Sequence, residues 1–206
     1  MTATNDALRV YSHRVNTLDA LRALPDGLGV EFDLRDDGRD ILITHDPFTT
    51  GPTIDEFFPL LRGRPSIFNV KCEGIEEHVR RAAQKYGVED YFFLDLTVPA
   101  AVKLARQGET RLAVRYSEHE PVEGVLAWRG RARWVWVDCF TRWPEDPTAW
   151  ATIARDFQVC LVSPELQGHG AEAIATFREG LGSRAAHAVC TKRPDLWGFG
   201  TPPRSA

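Results

Sequence analysis

The sequence has no run approaching the roughly 20 consecutive apolar residues that a helix needs to cross a bilayer. Its opening, MTATNDALRV, lacks the basic start and apolar centre of a secretory signal. The expectation is a soluble, cytoplasmic protein with no integral membrane association. There is no excess of positive charge either. The formal net charge is -4, whereas a nucleic-acid binder draws its affinity from clustered Lys and Arg on phosphates, so no nucleic-acid partner is expected. Cysteine is sparse, and the four present, Cys72, Cys139, Cys160 and Cys190, lie far apart in apolar runs. Without the paired spacing of a zinc site, they read as reduced, buried thiols. No Gly-rich phosphate loop follows the first strand-like run, which weighs against an open doubly wound sheet.

What the sequence does have is a regular alternation. Strand-like runs occupy residues 8–14, 28–35, 65–72, 90–96, 110–117, 133–140, 157–164 and 186–192. Helical patterns separate them. In GIEEHVRRAAQKYG the apolar residues Ile75, Val79, Ala82, Ala83 and Tyr86 recur at helical spacing, and VPAAVKLARQG closes on Gly108. Pro99, Pro147 and Pro194 each sit where a helix would begin. A chain of 206 residues with 43% hydrophobic residues can bury one substantial core. Eight apolar runs joined by crossovers predict a parallel sheet covered on both faces. The closed solution is a compact single-domain (β/α)8 TIM barrel over residues 1–206, small against the usual ~250 residues, with about 198–206 as a frayed tail.

Polar residues gather at the C-terminal ends of these runs: Ser12-His13-Arg14, Glu31 and Asp33, Asn69 and Lys71, Asp95, Arg115 and Ser117, Asp138, Ser163 with Glu165, and Lys192. Side chains two apart on a strand share a face. Glu31 with Asp33 and Asn69 with Lys71 therefore converge over the C-terminal mouth, where barrels of this kind carry their chemistry. Each also has a plainer reading. Asp95 and Asp138 could be helix N-caps. Arg115 either pairs with Glu165 or Asp138 or meets an anionic substrate. Trp143 and Trp150 either pack or wall a sugar ring, and packing is the commoner use of Trp. His119 reads as solvated and its neighbour Glu118 as facing the mouth, while His78 and His169 are given no role.

The stretch VEFDLRDDGRDILITHDPF (residues 30–48) sets out the chemistry. Its two carboxylates, Glu31 and Asp33, suit a divalent cation such as Mg²⁺ or Ca²⁺. Gly38 supplies a turn that brings His45 back to the same mouth. With His13 at the end of the first strand, two imidazoles flank one site. That suits acid–base cleavage of a phosphodiester, with the metal, Lys71 and Arg14 neutralising the phosphoryl oxygens.

These residues resemble a known family. SHR (12–14), EFD (31–33), DG (37–38), HD (45–46) and the Lys-ended strand at 69–71 match glycerophosphodiester phosphodiesterases in order and approximate spacing over residues 8–72. That family belongs to the phospholipase C-like phosphodiesterases. NVKCEG, YFFLDLTVP, VRYSEHE and LVSPELQG are similar to a compact, divergent bacterial branch of the group, and VCTKRPDLW resembles the family's closing Thr-Asp-x-Pro. The resemblance implies a (β/α)8 barrel, His13 and His45 as the acid–base pair, Glu31 and Asp33 as metal ligands, and Arg14 and Lys71 as phosphate contacts. It also implies a small glycerol- or sugar-linked phosphodiester as substrate, in cell-surface glycan or lipid-headgroup metabolism. Arg115 and Glu165 are expected as further substrate contacts.

The sequence departs from the family at four places. Val15 replaces a Gly, Asn16-Thr17 stands for Glu-Asn-Thr, Asn69 replaces the third metal carboxylate, and Lys192 replaces the closing Asp. Asn69 can still offer a carbonyl oxygen to the metal, and Asp95 is the alternative that would restore the charge. The departures keep a second expectation open, a catalytically degenerate barrel that binds a phosphorylated metabolite without turnover.

Overall fold

The computed structural model describes residues 8–144 and 146–199. Strands β1 (Arg9–Ser12), β2 (Gly29–Asp36), β4 (Ser66–Val70), β5 (Tyr91–Leu94), β6 (Ala113–Tyr116), β7 (Trp134–Val137), β8 (Gln158–Val162) and β9 (Ala188–Thr191) run parallel in the order β5-β4-β2-β1-β9-β8-β7-β6. The ring closes between β5 and β6 through an isolated parallel bridge at Phe93 and Leu112, with Phe93 N donating to Arg111 O at 2.8 Å. A short strand, β3 (Ile41–Ile43), pairs antiparallel with the outer end of β2. It forms the returning arm expected of ILITHD, and Gly38 lies in the turn at φ +89°. The fold is the expected (β/α)8 barrel.

The crossovers are α1 (Leu18–Ala23), α2 (Ile54–Phe57), α3 (Glu76–Lys85), α4 (Val98–Arg106), α5 (Val122–Leu126), α6 (Pro147–Asp156) and α7 (Ala173–Leu181). After β9 there is only a 3-10 turn, Pro194–Trp197. The brevity of α1, α2 and α5 is what lets so short a chain close a barrel. Local chemistry sets their starts: Thr17 caps α1, Thr53 and Glu56 form a reciprocal capping box on α2, and Asp146 accepts from the first turn of α6.

Strand alternation divides the core into two shells. Tyr11, Ile67, Phe92, Leu94, Trp134, Trp136, Cys160, Val162, Ala188 and Cys190 fill the barrel interior. The outward positions, among them Val30, Phe32, Phe68, Phe93, Val135, Leu161 and Val189, pack under the helices. Phe92 stacks on Trp134 with centroids 4.6 Å apart. Trp143 and Trp150 are buried edge to face at 6.2 Å, with their indole N–H groups on Phe177 O and Ala185 O. They clamp α6 to the α7 region and wall no sugar site.

Two expectations need correction. Cys139, Cys160 and Cys190 are buried free thiols, but Cys72 is only half-buried because it sits at the rim, accepting from Asp36 N at 3.2 Å. The tail is docked at its start: Phe199 packs against the core and donates from its N–H to Pro194 O, while residues 200–206 lie outside those described. Among the described residues no helix is long and apolar enough to cross a membrane.

Gly29 on β2 is required by its neighbour on β1. A Cβ there would lie 2.6 Å from the Tyr11 ring, which fills the barrel floor. Gly29→Ala should therefore destabilise the protein by about 1–3 kcal/mol through overpacking, measured by chemical denaturation.

Candidate active site

The C-terminal mouth is built around Glu31 and Asp33, adjacent inward positions of β2 with exposures of 0% and 1%. Two carboxylates this close and this buried repel each other. Burial and Asp33 push the Glu31 carboxyl up to about 7. The surrounding chain is arranged to supply donors. Arg14 adopts a left-handed backbone (φ +54°) that aims its N–H at Glu31 Oε2, 2.6 Å away. Asn69 donates from Nδ2 to Glu31 Oε1 at 2.8 Å. Asn16 brackets Asp33, donating to its Oδ2 at 2.8 Å and accepting from its backbone N–H at 3.0 Å.

His13 follows β1, with Nε2 3.8 Å from Glu31 Oε2. Burial, reinforced by Arg14, Lys192, Lys71 and His45, pushes its pKa down to about 4. It is neutral at physiological pH. His45 stands where the β2–β3 hairpin returns, its Nδ1 2.8 Å from Asp46 Oδ1. The hydrogen bond holds the exposed Asp46 carboxyl below the usual range. Just beyond it, Phe48 projects into solvent at 105% exposure with φ +63°. Among the described residues the non-glycine left-handed positions are Arg14, Phe48, Arg62 and Asp95, so three of the four sit at the mouth, where backbone strain commonly marks function.

The far wall is a chain of alternating charges. Lys71 Nζ lies 3.0 Å from Asp95 Oδ2 and 3.6 Å from Asp33 Oδ1. Arg115 binds Asp95 through Nη2 at 2.5 Å and Nε at 3.0 Å, and pairs closely with Asp138 through Nη1. Gln167 donates to the other Asp138 oxygen at 2.6 Å. Burial pushes Asp138 up to about 6 despite Arg115. Burial raises Asp95 too, but Arg115 and Lys71 outweigh it and hold it low.

Most of the anticipated residues meet at this mouth: His13, Arg14, Glu31, Asp33, His45, Asn69, Lys71 and Arg115. The capping alternatives for Asp95 and Asp138 are displaced, since Thr97 caps α4 and Asp146 caps α6. Arg115 pairs with Asp138, as one alternative held, and with Asp95 rather than Glu165. Glu165 is turned outward, where it accepts from the Thr191 hydroxyl at 2.6 Å and Lys192 N at 2.9 Å and binds the Ser163 hydroxyl. Its carboxylate is occupied by the protein. Glu118 accepts from the backbone of residues 140–142, including Thr141 N at 2.6 Å, and fixes that loop. Gln167 was not singled out in the sequence, and Asn16 figured there only as part of the altered Glu-Asn-Thr, with no contact to Asp33 expected of it.

Three side-chain atoms here are buried without a hydrogen-bond partner: His13 Nδ1, Asp33 Oδ1 and Asn69 Oδ1. The two oxygens are ligands of the hard-cation type. Among the described residues no group of three or more His, Cys, Asp or Glu could hold a metal ion, and the three residues expected as ligands, Glu31, Asp33 and Asn69, offer two carboxylates and one amide. A cavity of about 510 Å³ lies at the opposite end of the barrel, where Arg64 is spent on the carbonyls of Leu24, Pro25 and Leu28. No catalytic pair lines it.

Eight parallel strands with polar groups over their C-terminal ends define a (β/α)8 barrel whose mouth is the place for ligand chemistry. Among solved structures, the chain is similar to a glycerophosphodiester phosphodiesterase from Agrobacterium tumefaciens str. C58, with TM-score 0.68 and 15% identity over 93% of this chain and 98% of that one. It is also similar to a putative glycerophosphoryl diester phosphodiesterase from the same organism, with TM-score 0.69 and 17% identity over 93% and 96%. A tryptophan synthase complex chain from Pyrococcus furiosus matches with TM-score 0.55 and 16% identity over 90% and 86%. These identities establish the fold. No protein-family model matches the sequence, and neither does any curated protein.

Removing Arg115 would leave Asp95 and Asp138 facing each other unpaired. Arg115→Met should cost stability toward the lower end of the roughly 3–5 kcal/mol seen for broken buried pairs, because the guanidinium is a third exposed. A carboxyl whose folded pKa is raised favours the fold at low pH and loses that contribution as pH rises through its folded value. The deficit should therefore be larger at pH 8 than at pH 5 in urea titrations.

Proposed function

We propose that this barrel is a metal-assisted phosphodiesterase, a phosphoric diester hydrolase of the glycerophosphodiester phosphodiesterase type, acting on a small glycerol- or sugar-linked phosphodiester. The observation that carries the reading is the set of three buried, unpartnered polar atoms at one mouth, on His13, Asp33 and Asn69. A buried polar atom without a partner costs about 1–3 kcal/mol, and a bound ligand would complete these. The resemblance in residue order and the barrel similarity support the same reading.

In this mechanism His13, kept neutral by burial, accepts the proton of the attacking hydroxyl or water. His45, with Asp46 at its Nδ1, delivers a proton to the leaving oxygen. Arg14 and Lys71 neutralise the phosphoryl oxygens. Glu31, Asp33 and Asn69 would hold Mg²⁺ or Ca²⁺, which would add positive charge beside those oxygens. Asp95 draws Lys71 toward the far wall, leaving it 3.6 Å from Asp33 Oδ1.

A panel of glycerol- and sugar-linked diesters, assayed with Mg²⁺, Ca²⁺ or Mn²⁺, tests the reading by product formation. His13→Ala and His45→Ala should each lower kcat by about 10²–10⁴-fold with unchanged thermal stability. The second reading, a binding barrel without turnover, is favoured by the Asn69 amide occupying a Glu31 oxygen. It predicts phosphate-induced thermal stabilisation, no product, and equal binding by both histidine variants.

The pH dependence separates base from ligand. Glu31, pushed up to about 7, must lose its proton when a cation binds, so cation affinity should fall as pH drops below 7. At saturating cation the acid limb of kcat/KM should follow His13, near 4 rather than the ordinary 6.5. At limiting cation the limb should move up toward 7.

A further inference from the structure

The cationic side chains described at the mouth are not equivalent. Lys71 and Arg115 are committed to Asp33, Asp95 and Asp138. Arg14 has its Nε 3.7 Å from Asp33. Lys192 is exposed, and among the described residues its ammonium has neither a hydrogen bond nor an ion pair. Its position is nonetheless defined. Ala188 and Cys190 of β9 face the barrel interior, Thr191 ends the strand, and Lys192 follows it at the C-terminal mouth, near enough to His13 for its charge to act on that imidazole.

The backbone at that point is clamped. Glu165 Oε1 accepts from both the Thr191 hydroxyl and Lys192 N, the second Glu165 oxygen binds the Ser163 hydroxyl, and Trp197 Nε1 donates to Ser163 at 2.6 Å. On the other side Ser12 pairs with Thr191, and His13 N donates to Thr191 O at 2.9 Å. Lys192 is thus held beside His13 with no counter-charge of its own.

We propose that Lys192 is a specificity-determining residue that binds a second anionic group of the substrate, with Glu165 as its positioning residue. The inference rests on the phosphodiesterase reading and narrows its substrate class. A phosphodiester carries one negative charge, for which Arg14, Lys71 and a cation already suffice. A further ammonium beside His13 calls for a further anion. The substrate is therefore a phosphodiester whose alcohol part carries a carboxylate or a phosphate.

The test compares two diesters of the same size, glycerophosphoglycerol and the glycerol phosphodiester of glyceric acid, which differ by a hydroxymethyl group and a carboxylate. For the full chain, kcat/KM should favour the carboxylate diester by up to about fivefold, expressed mainly in KM, as expected of one solvated ion pair. Lys192→Met should abolish the preference and Lys192→Glu should reverse it, while Glu165→Gln should reduce it. The ratio of two substrates in one preparation does not depend on how much of a variant is folded, so a merely structural role would leave it unmoved. Equal turnover of the two diesters by the unaltered protein, or a preference that survives Lys192→Met, overturns the role of Lys192 and leaves the phosphodiesterase reading standing. Failure to cleave either diester or any member of the wider panel overturns that reading and this one with it.

Discussion

The structure depends on a problem of electrostatics: two carboxylates, Glu31 and Asp33, stand side by side on one strand with almost no access to water. Like charges in such a place raise each other's pKa and press the strand to unfold unless donors surround them. The chain answers with backbone and amides before it answers with charge. Arg14 gives up an ordinary conformation so that its N–H can reach Glu31, Asn69 holds the other Glu31 oxygen and Asn16 one oxygen of Asp33, which leaves Asp33 Oδ1 without a hydrogen bond. The nearest full cation, on Lys71, is drawn off by Asp95. The Asp33 Oδ1 left over is the oxygen to which the proposed cation would bind.

The same economy shapes His13. An imidazole this buried, among Arg14, Lys192 and Lys71, gains little from carrying a proton of its own. Burial, helped by the cationic wall that in the proposed mechanism would receive a phosphate, favours the uncharged form of the histidine. In the proposed mechanism, ligand recognition and proton transfer would thus depend on one distribution of charge.

The barrel was legible in the sequence because strands covered on both faces read as continuous apolar runs, and each ends abruptly in polar residues. The hairpin was legible for a similar reason, with Gly38 between a strand carrying carboxylates and a strand leading to His45. What could not be read was which way a polar residue turns once the ladder stops. Glu165 was expected as a substrate contact, and its carboxylate accepts from the Thr191 hydroxyl and Lys192 N. Asp95 was open to capping, but its left-handed backbone sends the carboxylate to Lys71 and Arg115, and Thr97 takes the cap. Such outcomes are decided by neighbours from distant strands, which local pattern does not reveal.

One feature of the ring joins architecture to chemistry. Around most of the hoop, neighbouring strands share several register pairs; β1 and β9, which bring the two ends of the chain together, share four. Between β5 and β6 there is one isolated bridge, at Phe93 and Leu112. Above that gap, Asp95 at the end of β5 is gripped by Arg115 of β6, which also reaches Asp138 beyond β7. The charged wall of the mouth is therefore the buckle of the barrel. Where main-chain bonding is thinnest, side chains fasten the hoop, and any anion that competed for Arg115 would be pulling on the catch that keeps it shut.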